Sequence, residues 1–548
     1  MDARLINSSL TQTHTTETGS KTTAQSGTSP AHSTLPRVSA SRFSSQIVPS
    51  RAAFEALASR GNLIPVRLEV LADLETPVSA LVKLRRAKPN APSFLLESVE
   101  GGEQLARYSF LGVGARGELK VKNRRASLTF DGQSREWDLE DGEDPLSVIE
   151  REMARFQFVD VAGLPRFCGG AVGYLGWEFV RFLERLPDAP PDDRDLNDAH
   201  LLFSDTVLAF DAVRHTITIF NCAHIDESHD FDGAYNRAVR AIEETLGALG
   251  REIVPSMPFP VSEIEEAEPK SNFPTRAAFE DAVQTCIDFI HAGDCVQIVP
   301  SQRFEVELRA EPLAVYRALR HVSPAPYMVF LDLGDAQLLA ASPEILVTEN
   351  KGHVLTRPLA GTRRRGANAE EDAALEAELL ADPKEIAEHV MLVDLARNDL
   401  GRVCEYGSVK VAQMMYVQKF SHVMHITSDV EGRLRPDKTA YDVLRATFPA
   451  GTLSGAPKVR AMQIIDSLEP TRRGPYGGAM GYFGWNGDMD TCITLRTIVV
   501  KDGKAYVQAG GGVVADSKPA DEYEETRNKA RAALRAIALA ERQTGDTQ

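Results

Sequence analysis

Asp382-Pro-Lys-Glu-Ile-Ala-Glu-His-Val-Met-Leu-Val-Asp-Leu-Ala-Arg-Asn-Asp399 reads as a helix with a marked start. Asp382 is an N-cap residue type, Pro383 suits the first helical position, and Glu385 falls where it can close a capping box. Ile386, Val390, Val393 and Ala396 follow at close to helical spacing. Glu385 and Glu388 lie three apart and share a face. The device returns at Lys518-Pro-Ala-Asp-Glu-Tyr-Glu-Glu-Thr-Arg-Asn-Lys529, which opens a second helix running to about Gln543, again with Glu522 and Glu525 three apart. Two such helix starts can bring four carboxylates together. Oxygen ligands of this kind suit Mg²⁺, which keeps several waters and takes one or two carboxylates plus an anionic substrate. Glu-x-x-Glu is also ordinary on a solvated helix face, and spacing alone leaves both readings open.

Around these helices the chain has 548 residues, room for two to four domains or one large intertwined unit. Its 61 basic and 78 acidic residues give a net charge of −17. That balance argues against a nucleic-acid or anionic-membrane surface as the main partner, and leaves room for a local basic pocket that takes a small anion. No uninterrupted apolar run is long enough to predict a membrane span. Cys168, Cys222, Cys286, Cys295, Cys404 and Cys492 are scattered without a C-x-x-C pair. They read as reduced, core-filling thiols of a cytoplasmic chain rather than as a zinc site or a disulfide framework.

Residues 1–49 are rich in Ser and Thr and predict a disordered tail. The tail lacks the apolar core of a secretory signal. It is Ser-rich and acid-poor like an organelle transit peptide, but its sparse arginine favours the cytoplasm over plastid import. An N-terminal domain is expected over 50–255, with strands at Pro65-Val-Arg-Leu-Glu-Val-Leu, Asp205-Thr-Val-Leu-Ala-Phe-Asp211 and His215-Thr-Ile-Thr-Ile-Phe-Asn221. Glu252 to Thr275 holds five prolines and an acidic run, which places a linker at 256–274. A second domain is expected over 275–548. Helices and strands mix without a regular βαβ rhythm, which favours an α+β fold.

The second half carries an ordered series of strings: Gly293-Asp-Cys-Val-Gln-Ile-Val-Pro-Ser-Gln-Arg303, Ala341-Ser-Pro-Glu344, Arg357-Pro-Leu-Ala-Gly-Thr-Arg363, Met391-Leu-Val-Asp-Leu-Ala-Arg-Asn-Asp-Leu-Gly-Arg402, Val423-Met-His425, Gly451-Thr-Leu-Ser-Gly-Ala-Pro-Lys458, Tyr476-Gly-Gly-Ala-Met-Gly-Tyr-Phe483 and Gln508-Ala-Gly-Gly-Gly-Val-Val-Ala-Asp-Ser517. Any one is weak; the set resembles the chorismate-utilising enzymes, from about Leu63 to the C-terminus. The resemblance implies the chorismate-binding fold, a large mixed or antiparallel β-sheet sandwich flanked by helices.

It also implies roles. Mg²⁺ anchoring the ring carboxylate of chorismate would be held by Glu388 and Glu525, with Glu385 and Glu522 holding metal-bound waters. Gly510, Gly511 and Gly512 would cradle the other carboxylate through their N–H groups. Tyr476 and Arg496 match a carboxylate-binding pair, and Gly361 and Thr362 a further substrate contact. Glu344 matches the group that protonates the departing ring hydroxyl, which needs a carboxyl kept protonated by burial. His425 and Thr452 match residues lining the reacting face, His425 at the proton loss that releases pyruvate. Ala360 stands where the water-using relatives carry Lys, a pattern of the branch in which ammonia attacks. Ser98 and Arg107, with Pro326, Tyr327 and Met328 opposite, resemble the pocket for feedback tryptophan.

The expected activity is conversion of chorismate and ammonia to anthranilate and pyruvate, the first step of tryptophan biosynthesis, with L-tryptophan as inhibitor. No Gly-x-Cys-x-Gly nucleophile string occurs in the chain. Ammonia is therefore expected from a separate glutamine amidotransferase subunit. The same family includes an alternative, aminodeoxychorismate synthesis, and a different class is an inactive tryptophan sensor.

Overall fold

Residue alternation builds the core. In the strand Thr206–Asp211, Val207 and Ala209 enter one hydrophobic cluster while Leu208 and Phe210 enter another. In Tyr327–Asp332, Val329 and Leu331 go to the first and Met328 and Phe330 to the second. Successive side chains of a strand point to opposite faces, so each of these strands separates two cores. The computed structural model describes residues 44–98, 107–252, 268–420 and 423–545. Most of the expected tail and linker lie outside them.

Among the described residues the strands form two large antiparallel sheets, one of 11 and one of 12 strands. The first runs from Leu63–Leu71 through Thr216–His224, Thr206–Asp211, Tyr108–Val113 and Ser93–Glu97, then continues with Tyr327–Asp332, Gln337–Ser342, Thr497–Lys501, Lys504–Gly510 and Ser301–Glu307 to Lys270–Ser271. The second runs from Leu359–Arg364 through Val423–Arg433, His353–Thr356, Ile345–Asn350, Met489–Ile493 and Ala479–Gly484 to Gly170–Leu175, Ala199–Ser204, Gly117–Lys122, Arg125–Phe130 and Gln133–Asp138. Lys410–Lys419 pairs with Val423–Arg433 off this path.

The two sequence halves therefore meet at two seams. Ser93–Glu97 pairs with Tyr327–Asp332, and Gly170–Leu175 pairs with Ala479–Gly484. The segments expected as separate domains at 50–255 and 275–548 share both sheets and the clusters on either face of them. The first cluster fills the sandwich, with residues from both sheets such as Val207 and Leu201. The second lies between the 11-stranded sheet and the helices Pro77–Ala87, Phe231–Leu249, Pro312–Val322 and Pro519–Gly545. The last helix contributes an alanine-rich face, with Ala530, Ala533, Ala536 and Ala540 fully or almost fully buried. All six cysteines are free and buried. Among the described residues no helix is long and apolar enough to cross a membrane.

Candidate active site

The helix Pro383–Gly401 starts as its sequence specifies. Asp382 accepts from the backbone N–H groups of Lys384 and Glu385, and Pro383 is the first helical residue. Two details differ from the spacing-based expectation. Glu385 closes no capping box and instead faces Arg363 at 3.4 Å. Val390 is exposed, because the buried face runs through His389, Leu392, Val393 and Leu400.

The glycine triplet is the hub. A methyl on Gly511 would stand 2.6 Å from Glu522 Oε2 and 3.8 Å from Glu525 Oε1. One on Gly512 would stand 2.5 Å from Gln297 Nε2 and 3.6 Å from Glu388 Oε1. One on Gly361, whose φ is +64°, would stand 3.1 Å from Glu385 Oε2. The two helix starts thus reach neighbouring residues of one loop, whose Cα atoms are about 3.8 Å apart. Gln297 Nε2 donates to Glu388 Oε1 at 2.9 Å, and Lys529 Nζ pairs with Glu525 Oε1 at 2.7 Å. Lys529 also donates to the Gly510 carbonyl at 3.0 Å. Burial pushes the Glu385 carboxyl up, with Glu388 adding to the effect. Burial does the same to Glu522, where Ser517 opposes it and Glu525 adds to it. Glu522 Oε2 is buried without a partner among the described residues. Among those residues no three His, Cys, Asp or Glu side chains form a ready-made metal cage.

Glu344 follows the strand Gln337–Ser342 and is 4% exposed. Thr452, on the short turn Gly451–Leu453, donates its hydroxyl to Glu344 Oε1 at 2.7 Å. Burial nevertheless pushes the carboxyl up to about 8, against the hydrogen bonds from Thr452 and the Leu359 backbone and the charge of Arg496. Glu344 therefore carries its proton at neutral pH.

His425 sits on Val423–Arg433 opposite Thr362, where the neighbouring strand breaks register between Ala360 and Thr362. This bulge aims the Gly361 carbonyl at the imidazole, 2.9 Å from Nδ1, with Thr362 Oγ1 at 3.0 Å. A carbonyl only accepts, so Nδ1 holds the proton and Nε2 presents a lone pair. Nε2 is buried without a partner among the described residues. Burial, with help from Arg496 and Lys529, holds the ring down to about 4, so it is neutral.

Arg496 adopts the left-handed conformation at φ +48°, a strained backbone for a residue with a Cβ. Its guanidinium forms no ion pair with any described carboxylate, and burial pulls it below the ordinary arginine range. Tyr476 is buried, its hydroxyl against the Gly510 backbone. A half-buried guanidinium with no ion-pair partner among the described residues is suited to a carboxylate ligand.

A second pocket lies between the sheets. It holds Ser98, Pro326 and Tyr327 together with Tyr108, Arg166 and Asp490. Two residues expected there stand elsewhere. Arg107 is tied to Asp211 at 2.7 Å, and Met328 points to the opposite face of its strand, as the two-residue period requires. The pocket's cation is Arg166, 3.4 Å from Asp490, which also accepts from the Tyr327 hydroxyl at 2.8 Å. Sequence reading missed Arg166 and Asp490 because nothing local marks them. It also missed Gln297, although Lys529 was readable as the residue four on from Glu525.

Comparison with known proteins places the chain in a family. The chorismate binding enzyme family matches residues 66–535. Anthranilate synthase component 1 of Pseudomonas aeruginosa is 50% identical over 497 residues, 90% of this chain and 99% of that protein. The protein of the same description from Acetivibrio thermocellus is 46% identical over 87% of this chain and 95% of its own length. Among solved structures, anthranilate synthase component I from Streptococcus pneumoniae superposes with a TM-score of 0.68 at 38% identity, covering 78% of this chain and 92% of that one. The menaquinone-specific isochorismate synthase of Escherichia coli shares the fold, with a TM-score of 0.62 at 17% identity over 89% of this chain and 98% of that one. The match spans nearly the whole sandwich and every residue placed around the glycine hub, and on that ground the chain belongs to the chorismate binding enzyme family, alongside the anthranilate synthase component 1 proteins.

Proposed function

We propose that the chain converts chorismate and ammonia to anthranilate and pyruvate, as the larger partner of a glutamine amidotransferase subunit in tryptophan biosynthesis. The observation that carries this reading is a buried Glu344 carboxyl held by the Thr452 hydroxyl together with a buried His425 whose Nδ1 is committed to the Gly361 carbonyl, leaving Nε2 without a partner among the described residues. In the first stage a C–N bond forms between ammonia and the ring, and the ring hydroxyl departs as water with the Glu344 proton. In the second, His425 Nε2 takes the proton from the ring carbon that received nitrogen. The ether C–O bond breaks, the ring becomes aromatic, and the enolpyruvyl fragment is protonated to pyruvate. Two substrate carboxylates beside Arg496 and Lys529 offset the charges that depress His425, raising its basicity once substrate is seated.

The carboxylate hub fits Mg²⁺. Glu388 and Glu525 each have one oxygen already held, by Gln297 and Lys529, which leaves the other for an ion. The unpartnered Glu522 Oε2 suits a bound water. When bound, Mg²⁺ supplies orientation and charge neutralisation for the ring carboxylate. Gly512→Ala should push Gln297 off Glu388. The Mg²⁺ concentration for half-maximal activity is then expected to rise about 10- to 100-fold, the usual cost of losing an outer-shell partner. An unchanged Mg²⁺ titration would count against this hub as the ion's site.

For the second pocket we propose L-tryptophan, with Arg166 and Asp490 facing its charged ends and Tyr108 and Tyr482 its ring. The deciding assay is chorismate with ammonium salts and Mg²⁺, followed by anthranilate fluorescence. Turnover is expected with ammonium, none with glutamine alone, a loss on chelation and a decrease with added tryptophan. A para-aminobenzoate precursor as product, or glutamine-dependent turnover by this chain alone, would overturn the assignment.

A further inference from the structure

His389 follows directly on Glu388 and is the first fully buried residue of the helix Pro383–Gly401. Before it, Pro383, Lys384 and Ala387 are exposed and Ile386 is half-buried, so little apolar packing holds the opening turn. The imidazole Nε2 lies 2.6 Å from Ser428 Oγ, and both residues are fully buried. Nδ1 is buried without a hydrogen-bond partner among the described residues, so the Ser428 contact is the ring's one hydrogen bond there. Ser428 stands on Val423–Arg433, three residues beyond His425. That spacing puts the two side chains on opposite faces of one strand, about 10 Å apart along it. The register breaks near them belong to the neighbouring strands, at Gly361 on one side and between Val411 and Tyr416 on the other. Ser428 is itself held in place. Its Oγ accepts from the Met415 backbone N–H at 2.9 Å, and its own N–H donates to the Pro358 carbonyl at 3.3 Å. A backbone N–H only donates, so the Ser428 hydroxyl proton remains for the imidazole.

On the functional reading above, Glu388 and His425 serve one substrate, so the helix and the strand that carry them need a fixed relation. They meet at this hydrogen bond. A hydrogen bond is directional and fixes rotation as well as distance, whereas apolar surfaces slide more easily. We propose that His389 is a positioning residue for Glu388. Through Ser428 it locks the opening turn of the helix to the strand bearing His425, and so sets where Glu388 offers its free oxygen to Mg²⁺. In this role His389 touches neither substrate nor ion; it acts through its neighbour.

The test uses the full chain. Mg²⁺ binding is measured by isothermal titration calorimetry, with anthranilate present to supply a ring carboxylate, and turnover with chorismate and ammonium. His389→Ala is expected to raise the Mg²⁺ dissociation constant about 10- to 100-fold, as losing an outer-shell partner does. His389→Gln, whose amide reaches the place of Nε2, should stay within about threefold of the parent. His389→Asn, which reaches only the place of Nδ1, should bind as weakly as the alanine variant. Ser428→Ala should weaken Mg²⁺ binding in the same way, and turnover at limiting Mg²⁺ should follow the same order. The positioning role is overturned if His389→Ala binds Mg²⁺ like the parent, whatever its Tm, or if the glutamine and asparagine variants do not differ. Should His389→Ala not fold, Ser428→Ala decides: the parent dissociation constant in that variant overturns the role. If the unaltered chain binds no Mg²⁺, the carboxylate hub falls as the ion's site and the role of His389 with it. If it binds Mg²⁺ and makes no anthranilate, the functional reading falls alone.

Discussion

Glu344→Gln is expected to lower chorismate turnover by about 10²- to 10⁴-fold, the usual contribution of a positioned acid, with little change in the KM for chorismate. Glutamine keeps the shape and the acceptor for Thr452 Oγ1 but has no acidic proton to give. A variant within about tenfold of the parent would remove Glu344 from the acid role. Turnover by the parent should fall as pH rises through about 8, where the carboxyl ionises. The variant's residual rate should lack that decline. Stability moves in a related way. The folded-state value lies above the ordinary 4.5, so between about 4.5 and about 8 the native state holds a proton that the unfolded chain releases. Folding is therefore progressively less favoured as pH rises across that window. Glu344→Gln escapes this loss, and its Tm relative to the parent should climb with pH.

The second large effect concerns stability. Arg473 and Glu469 form an ion pair at 2.6 Å with both side chains only 2% exposed. Arg473 also donates to the Val299 carbonyl at 2.7 Å and the Leu453 carbonyl at 2.8 Å, and lies over the Trp177 ring at 4.2 Å. Glu469 accepts from the backbone N–H and hydroxyl of Ser301, both at 2.8 Å. Arg473→Met would leave a carboxylate buried without its cation and two carbonyls without donors. Breaking a buried pair from one side costs about 3–5 kcal/mol. Chemical denaturation should show a loss of that size, and adding Glu469→Gln should recover a large part of it. A single-variant loss below about 1 kcal/mol would show that water compensates the site. Because Leu453 adjoins Thr452, the surviving folded fraction should also turn over more slowly.

How much of this was readable beforehand differs from residue to residue. The Asp382-Pro383 start and the second Glu-x-x-Glu were plain, because caps and three-residue spacing are local properties of a helix. Strands such as Thr206–Asp211 were plain for the same reason. The tautomer of His425 was not, since it depends on a bulge at Gly361 in another strand. Arg107 and Arg166 show the limit clearly. Both are arginines near apolar strands, and only the folded chain reveals that Asp211 claims the first while the second faces the pocket beside Asp490. The sharing of both sheets by the two halves was equally hidden, because strand pairing across more than 200 residues leaves no local mark.

Those two seams bear on how the polypeptide matures during synthesis. Ser93–Glu97 must wait for Tyr327–Asp332, whose last residue is 235 positions after Glu97. At ordinary ribosomal speeds that wait is about 12–47 s. Through it, the nascent amino-terminal segment presents an unpaired strand edge, a template for unwanted association. Holdases should therefore engage the growing chain until the carboxy-terminal strands emerge, and severing it between the halves should yield two sticky fragments rather than two working modules.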